Sequence, residues 1–224
     1  MTGSVRKNER NTLESGRDMR MEDICITNLS KSYGVRNVFE DLNIRIKSGA
    51  MTCIMAPSGA GKTTLLRILM GLEKADSGVV TGLENKRFSA VFQEERLCEN
   101  MTAQDNVRLV LPKTVVPGSV LTGMTTPGSQ TVRQEMTRLG LTDCYAQPVS
   151  ELSGGMRRRV SILRALLAEY DVLFLDEPFK GLDDTRKEQV IAYVKEKTRG
   201  KTVIFVTHDQ KEALDMGASI IQLL

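Results

Sequence analysis

The chain has no tryptophan, four tyrosines and six phenylalanines among 224 residues. So few rings make a stacking platform for single-stranded nucleic acid an unfavoured reading. Thirty-one Lys and Arg against 28 Asp and Glu leave a formal charge of +3, too little to argue for nucleic acid as a partner. The cysteines Cys25, Cys53, Cys98 and Cys144 form no CxxC pair, which argues against a zinc site or a redox motif and leaves them as reduced packing residues of a cytosolic protein. No apolar run approaches the ~20 residues that span a bilayer, so a role at a membrane requires docking to another chain. The segment 1–20 is polar, mixed in charge and without the hydrophobic stretch of a secretory signal; the expectation is a disordered extension ahead of one domain over 21–224.

What is present alternates. Apolar, β-rich runs occur at Ile24–Leu29, Leu42–Ile46, Met51–Met55, Val79–Val80, Ala90–Phe92, Val172–Leu175, Val203–Val206 and Ile220–Leu224. Helical patterns follow several of them, at Lys62–Leu72, Gly155–Ala168, Asp184–Lys197 and Gln210–Met216. Runs that are almost wholly apolar suit a parallel sheet covered on both faces, and the alternation predicts an α/β fold. The middle differs: no buried strand is expected from Glu94 to Ser150, where helical stretches at Ala103–Leu111 and Thr131–Leu139 flank a Pro-, Gly- and Thr-rich loop over Pro112–Gln130. This predicts a helical insert, bounded at about 94–165, in the α/β core.

Two strand ends carry chemistry. Ala56-Pro-Ser-Gly-Ala-Gly-Lys-Thr-Thr64 follows an apolar strand and opens a helix, the context a phosphate loop requires. Ser58, Gly59, Ala60 and Gly61 supply a backbone nest whose N–H groups face phosphate oxygens, and the helix N-terminus adds its positive end. Lys62 is expected to reach the β- and γ-phosphates, Thr63 to hold Mg²⁺, and Thr64 to support the α-phosphate. Ala56 stands where the usual pattern has its first glycine, which is tolerated only if its φ is negative. Further on, Val172-Leu-Phe-Leu-Asp-Glu-Pro178 ends a strand in two carboxylates. Ligands sit at the carboxyl ends of parallel strands, so Asp176 is expected beside Mg²⁺ and Glu177 as the base or positioner of an attacking water.

Leu152-Ser-Gly-Gly-Met156, followed by Arg157-Arg-Arg-Val-Ser-Ile-Leu-Arg164 and about twenty residues before that acidic strand, resembles the signature of the ABC ATPase family. The likeness covers roughly Met21 to Leu224. It implies a P-loop NTPase core of the RecA-like type with an antiparallel β edge and an inserted helical subdomain, binding ATP and Mg²⁺. It also implies that Ser153, Gly154 and Gly155 complete the nucleotide site of a second copy. Gln93 resembles the Q-loop glutamine, a ligand of Mg²⁺ and water at the hinge to the insert. His208, the single histidine, resembles the switch residue that contacts the γ-phosphate, and Tyr33 the aromatic residue that stacks on adenine. Gly181-Leu-Asp183 resembles the D-loop, with Lys180 where a small residue is usual.

Without apolar spans, a second cassette or a long arm within the insert, the resemblance points to a free-standing, compact subunit with no C-terminal regulatory domain. It would act as a homodimer on separate integral-membrane permease chains at the cytoplasmic face of the cell membrane, served indirectly by a substrate-binding protein and touching no nucleic acid. Met156 in place of Gln, and Glu94-Glu-Arg-Leu97 after Gln93, are similar to importers of nitrate, sulfonate, taurine and pyrimidine precursors. A soluble ATP-dependent switch on a non-membrane partner and an exporter ATPase with separate membrane subunits remain open on the residues alone.

Overall fold

The computed structural model describes residues 22–111 and 127–223. The expected extension over 1–20 and most of the loop over 112–130 lie outside these residues. A five-stranded parallel sheet forms the centre, in the order β5 (Phe88–Val91), β6 (Val172–Asp176), β7 (Thr202–Thr207), β3 (Met51–Met55) and β8 (Ser219–Gln222). Beside it stands a three-stranded antiparallel sheet, in the order β2 (Arg36–Ile46), β1 (Ile24–Tyr33) and β4 (Ser77–Thr81).

The apolar runs of β6 and β7 are buried along their whole length because they feed two cores. Alternate residues of a strand point to opposite faces. Val172, Phe174, Ile204 and Val206 face one core, with Ile24, Ile26, Leu29 and Ile46 of the antiparallel sheet and Leu65, Leu66 and Leu69 of helix α1 (Lys62–Leu69). Leu173, Leu175, Val203 and Phe205 face the other. That second core includes Val160, Ile162 and Leu163 of α4 (Gly154–Leu167) and Val190 and Val194 of α5 (Asp184–Lys197). It continues into Val107 of α2 (Ala103–Arg108) and Val132 and Met136 of α3 (Pro127–Arg138).

Between β5 and β6 the described regular elements are all helical: α2, α3 and α4, with 3-10 turns at Thr142–Cys144 and Val149–Glu151. Side chains start the helices, with Thr102, Ser153 and Asp183 each accepting an N–H of the first turn of α2, α4 and α5. Asp209 does the same for α6 (Gln210–Met216), which Gly217 ends in the left-handed conformation.

Several boundaries differ from expectation. β1 runs on from Leu29 to Tyr33 and β2 begins at Arg36, six residues before the apolar run at Leu42, because Tyr33 pairs with Arg36 across a tight Gly34-Val35 turn. This tip lies at a sheet edge facing solvent, so it carries no apolar pattern. Helix α1 ends at Leu69, short of Leu72, with the N–H of Leu72 turned back to the carbonyl of Arg67. Helix α3 starts at Pro127, inside the segment expected to be loop, where Pro suits a first helical position.

Candidate functional site

The strand–loop–helix from β3 through residues 56–61 into α1 builds the floor of the site. Gly59 and Gly61 have φ of 82° and 90°, and a Cβ on Gly61 would stand 2.3 Å from Val38 Cγ1 and 2.8 Å from Phe39 Cζ. Only glycine satisfies both demands. Ala56 is not among the residues with positive φ, so the departure at this position costs no backbone strain. Its carbonyl accepts a hydrogen bond from Lys62 Nζ at 2.6 Å, and that of Pro57 accepts a second at 3.0 Å. The ammonium thus arches over the loop. Gly61 gives α1 no side-chain cap, and the first-turn N–H groups of an α-helix have no intrahelical acceptor. Arg36 Nη2 donates to the Gly59 carbonyl at 2.6 Å and pins the loop from the β1–β2 hairpin.

Asp176 and Glu177 leave the end of β6 opposite this loop. Thr63 Oγ1 donates to Asp176 Oδ2 at 2.8 Å, while Asp176 Oδ1 is buried without a partner. Burial raises the Asp176 pKa above the usual carboxylate value; the Thr63 hydrogen bond opposes this and the neighbouring Glu177 charge adds to it. A buried, unsatisfied carboxylate oxygen beside a hydroxyl suits a divalent cation that takes few protein ligands and fills its shell with water and phosphate oxygens, as Mg²⁺ does. Among the described residues no group of three or more His, Cys, Asp and Glu could hold a metal.

Glu177 sits at φ 47°, an uncommon conformation for a residue with a side chain. Its N–H donates to the Val206 carbonyl, and its own carbonyl accepts from Arg158 Nη2 at 2.9 Å. Its carboxylate meets His208 Nδ1 at 3.0 Å through both oxygens. His208 follows β7; Thr207 Oγ1 donates to the buried Glu212 at 2.6 Å and accepts from the N–H of Asp209. This local network turns the chain so that the imidazole emerges into solvent.

A cleft of about 480 Å³ collects these groups. It is lined by Tyr33, Ser58, Gly59, Gly61, Lys62, Thr63, Thr64, Gln93, Asp176, Glu177 and His208, all expected there from sequence, by Lys180, noted only beside the D-loop, and by Arg36 and Val38. Tyr33, 48% exposed, forms one wall with Lys31 Nζ 4.9 Å from its ring centre. Ala60 faces the neighbouring core instead. Ser153, Gly154 and Gly155 do not line this cleft; Ser153 caps α4, Gly154 faces open space, and Gly155 lies against Gly181 and Leu182. Arg36 and Arg158 were not singled out from the sequence. For Arg36 the available signal was the Tyr33-Gly34-Val35-Arg36 turn; Arg158 had none beyond its place in a basic helix.

The sequence matches the family described as ABC transporter over residues 39–180. It is 36% identical over 216 residues to the sulfate/thiosulfate import ATP-binding protein CysA of Mannheimia succiniciproducens, covering 88% of this chain and 58% of that protein. It is 32% identical over 209 residues to the spermidine/putrescine import ATP-binding protein PotA of Bacteroides thetaiotaomicron, covering 88% and 44%. The chain therefore spans about half the length of these relatives. Among solved structures, a dimeric post-hydrolysis state of the ATP-binding cassette MJ0796 bound to ADP and Pi superposes with a TM-score of 0.73 at 27% identity, covering 89% of this chain and 94% of that one.

Proposed function

Because this chain belongs to the ABC transporter family, we propose that it binds and hydrolyses ATP to energise a membrane importer. The observation that carries this reading is the unpartnered Asp176 Oδ1, buried next to Thr63 in the cleft that also holds the phosphate loop, Glu177 and His208. In the proposed roles Gly59, Gly61 and the start of α1 cradle the phosphates. Lys62 exchanges its two backbone carbonyls for phosphate oxygens, and Tyr33 stacks on the base. Thr63, Asp176 and Gln93 hold Mg²⁺, which would neutralise phosphate charge. Glu177 accepts the proton of the attacking water, and His208 contacts the γ-phosphate.

Ser153, Gly154 and Gly155 have no place in the cleft of their own chain. A helix N-terminus with an open glycine suits a second anion contact, so we assign it to the ATP of a second copy, giving a head-to-tail homodimer. Permease chains would dock along the segment from Gln93 to Asn106, at the cytoplasmic face of the membrane, with a substrate-binding protein acting through them. No helix among the described residues is long and apolar enough to cross a membrane. Import rather than export follows the names of the relatives. Within importers, Met156 and the Glu94–Leu97 stretch favour the nitrate, sulfonate and taurine type, alongside sulfate and polyamine relatives.

Glu177→Gln tests the reading, since it keeps the size and the capacity to hydrogen-bond and removes the charge. The variant should bind ATP, lose turnover by orders of magnitude, and elute as a dimer with ATP but as a monomer with ADP. Adding Ser153→Arg should abolish that dimer. Wild-type turnover in Glu177→Gln would move the base elsewhere, and an ATP dimer that survives Ser153→Arg would remove the composite site.

A further inference from the structure

Arg158 is a cation buried to 3% exposure in the second turn of α4. Among the described residues no carboxylate forms an ion pair with it; the carboxylates of Glu95, Asp176 and Glu177 supply only a surrounding field. Its guanidinium fork instead ends on two carbonyls from separate parts of the site. Nη1 donates to Phe92 at 2.6 Å, the residue before Gln93, and Nη2 donates to Glu177 at 2.9 Å. The third donor, Nε, is buried with no partner.

Burying a charge is costly unless it makes specific contacts, and these contacts are specific. Glu177 holds a backbone conformation that side chains seldom adopt, and such residues persist only where their surroundings over-determine them. Three hydrogen bonds do so here: its N–H to Val206, and the Lys180 N–H and Arg158 to its carbonyl, of which two donors only Arg158 reaches in from another element. The planar fork has a fixed spacing between its arms, so the peptides of Phe92 and Glu177 are held at a set separation. Five residues earlier the same helix begins at the Ser153 cap.

We infer that Arg158 is a positioning residue that ties the Glu177 peptide and the entry to Gln93 to the helix headed by Ser153. Engagement of that helix end by a second nucleotide site then aligns the hydrolytic carboxylate and the Gln93 amide together. The inference rests on the ATPase reading above, and adds a residue that does not line the cleft.

Arg158→Lys keeps a buried cation but replaces the fork by a single ammonium that cannot span both carbonyls at the same spacing. Arg158→Met removes both contacts. MgATP turnover is measured per nucleotide-binding site, with sites counted by titration with a fluorescent ATP analogue, alongside melting temperature. The expected result is a fall in kcat of about tenfold for Lys and a hundredfold or more for Met, with KM within threefold of wild type. Should the Met protein not fold, the Lys protein carries the test alone. A merely structural arginine would lower the melting temperature and the number of competent sites while leaving turnover per site unchanged; that result, or a KM rising in step with the fall in kcat, overturns the inference. Wild-type chain that fails to hydrolyse MgATP removes the functional reading and the inference together, whereas active wild type with unchanged variants removes the inference alone.

Discussion

The Glu177 carboxylate grips Nδ1 of His208 through both of its oxygens at 3.0 Å, across the gap between the ends of β6 and β7. A neutral imidazole that donates through Nδ1 has only an acceptor at Nε2. On the roles proposed above, a γ-phosphate entering the cleft would compete with Glu177 for the proton on such a ring, and the pair would have to open for both groups to serve the reaction. On those roles the contact would link the Glu177 carboxylate to the presence of a terminal phosphate.

His208→Ala should accordingly slow MgATP hydrolysis by about 10²–10³-fold, the scale of one lost donor at developing charge. ADP affinity should be unchanged, because ADP lacks the phosphate in question. Equilibrium titration with both nucleotides checks this, and an equal loss of ADP and ATP affinity would make His208 a structural residue.

Gly61→Ala meets two penalties at once, a φ of 90° and a Cβ 2.3 Å from Val38 Cγ1. It should destabilise the chain by about 1–3 kcal/mol and weaken ATP binding at least tenfold as the loop shifts. Gly34→Ala is the matched comparison: its φ is 60° but nothing lies within 4 Å of the added carbon, so about 1 kcal/mol of strain and no effect on ATP affinity are expected. Thermal melts and nucleotide titrations of the two variants should therefore diverge in binding far more than in stability.

That contrast marks what could be read from the sequence. The phosphate loop, the Asp176-Glu177 strand end and the buried runs of β6 and β7 were legible because local pattern and tertiary role coincide: a strand buried on both faces is apolar throughout, and a phosphate nest needs glycine. The Tyr33–Arg36 turn was not, because an antiparallel edge interrupted by register shifts carries no clean alternation. Arg158 was harder still. Its neighbours Arg157 and Arg159 are the same residue type in the same helix, yet Arg157 pairs with Glu99 at the surface and Arg159 ties down the carbonyls of Leu139 and Gly140. Only the tertiary fold separates the three.

Glu135 joins α3 to α5. Lys197 Nζ lies 2.5 Å from Oε1, and the Tyr193 hydroxyl donates to Oε2 at 2.8 Å. Burial alone would raise its pKa, but the Lys197 and Tyr193 hydrogen bonds, with the charges of Lys197 and Arg138, outweigh burial and lower it below 4.5. A depressed folded pKa adds stability that is fully present above the unfolded value and is lost as pH falls through the folded one. Glu135→Gln should thus cost roughly 1–2 kcal/mol at pH 7, the scale of a charge-assisted hydrogen bond. The gap to wild type should close as the pH is taken below about 4.5. Urea unfolding at a series of pH values reads this directly, and a gap that widens on acidification would reverse the assigned sign.

Asp176 has the opposite sign and the more informative variant. Burial, reinforced by the Glu177 charge, raises its pKa in spite of Thr63, so between the unfolded value of 3.8 and the raised folded value the folded chain binds more protons than the unfolded one. Stability without ligand therefore falls as pH rises through that window, and above it the ionised carboxylate is a net cost. Asp176→Asn removes the charge while leaving an oxygen for the Thr63 hydroxyl. In EDTA at pH 7 the variant should melt above wild type, by about 2–4 °C for each kcal/mol relieved in a domain of this size. With MgATP the order should invert, because wild type gains the linkage free energy of a bound cation and nucleotide and the variant has lost the anionic oxygen that holds the metal. Differential scanning calorimetry in EDTA, in ATP with EDTA, and in MgATP separates these contributions. A variant that melts below wild type in all three would mean that the unpartnered oxygen is structural, and one stabilised by MgATP as much as wild type would place the cation away from Asp176.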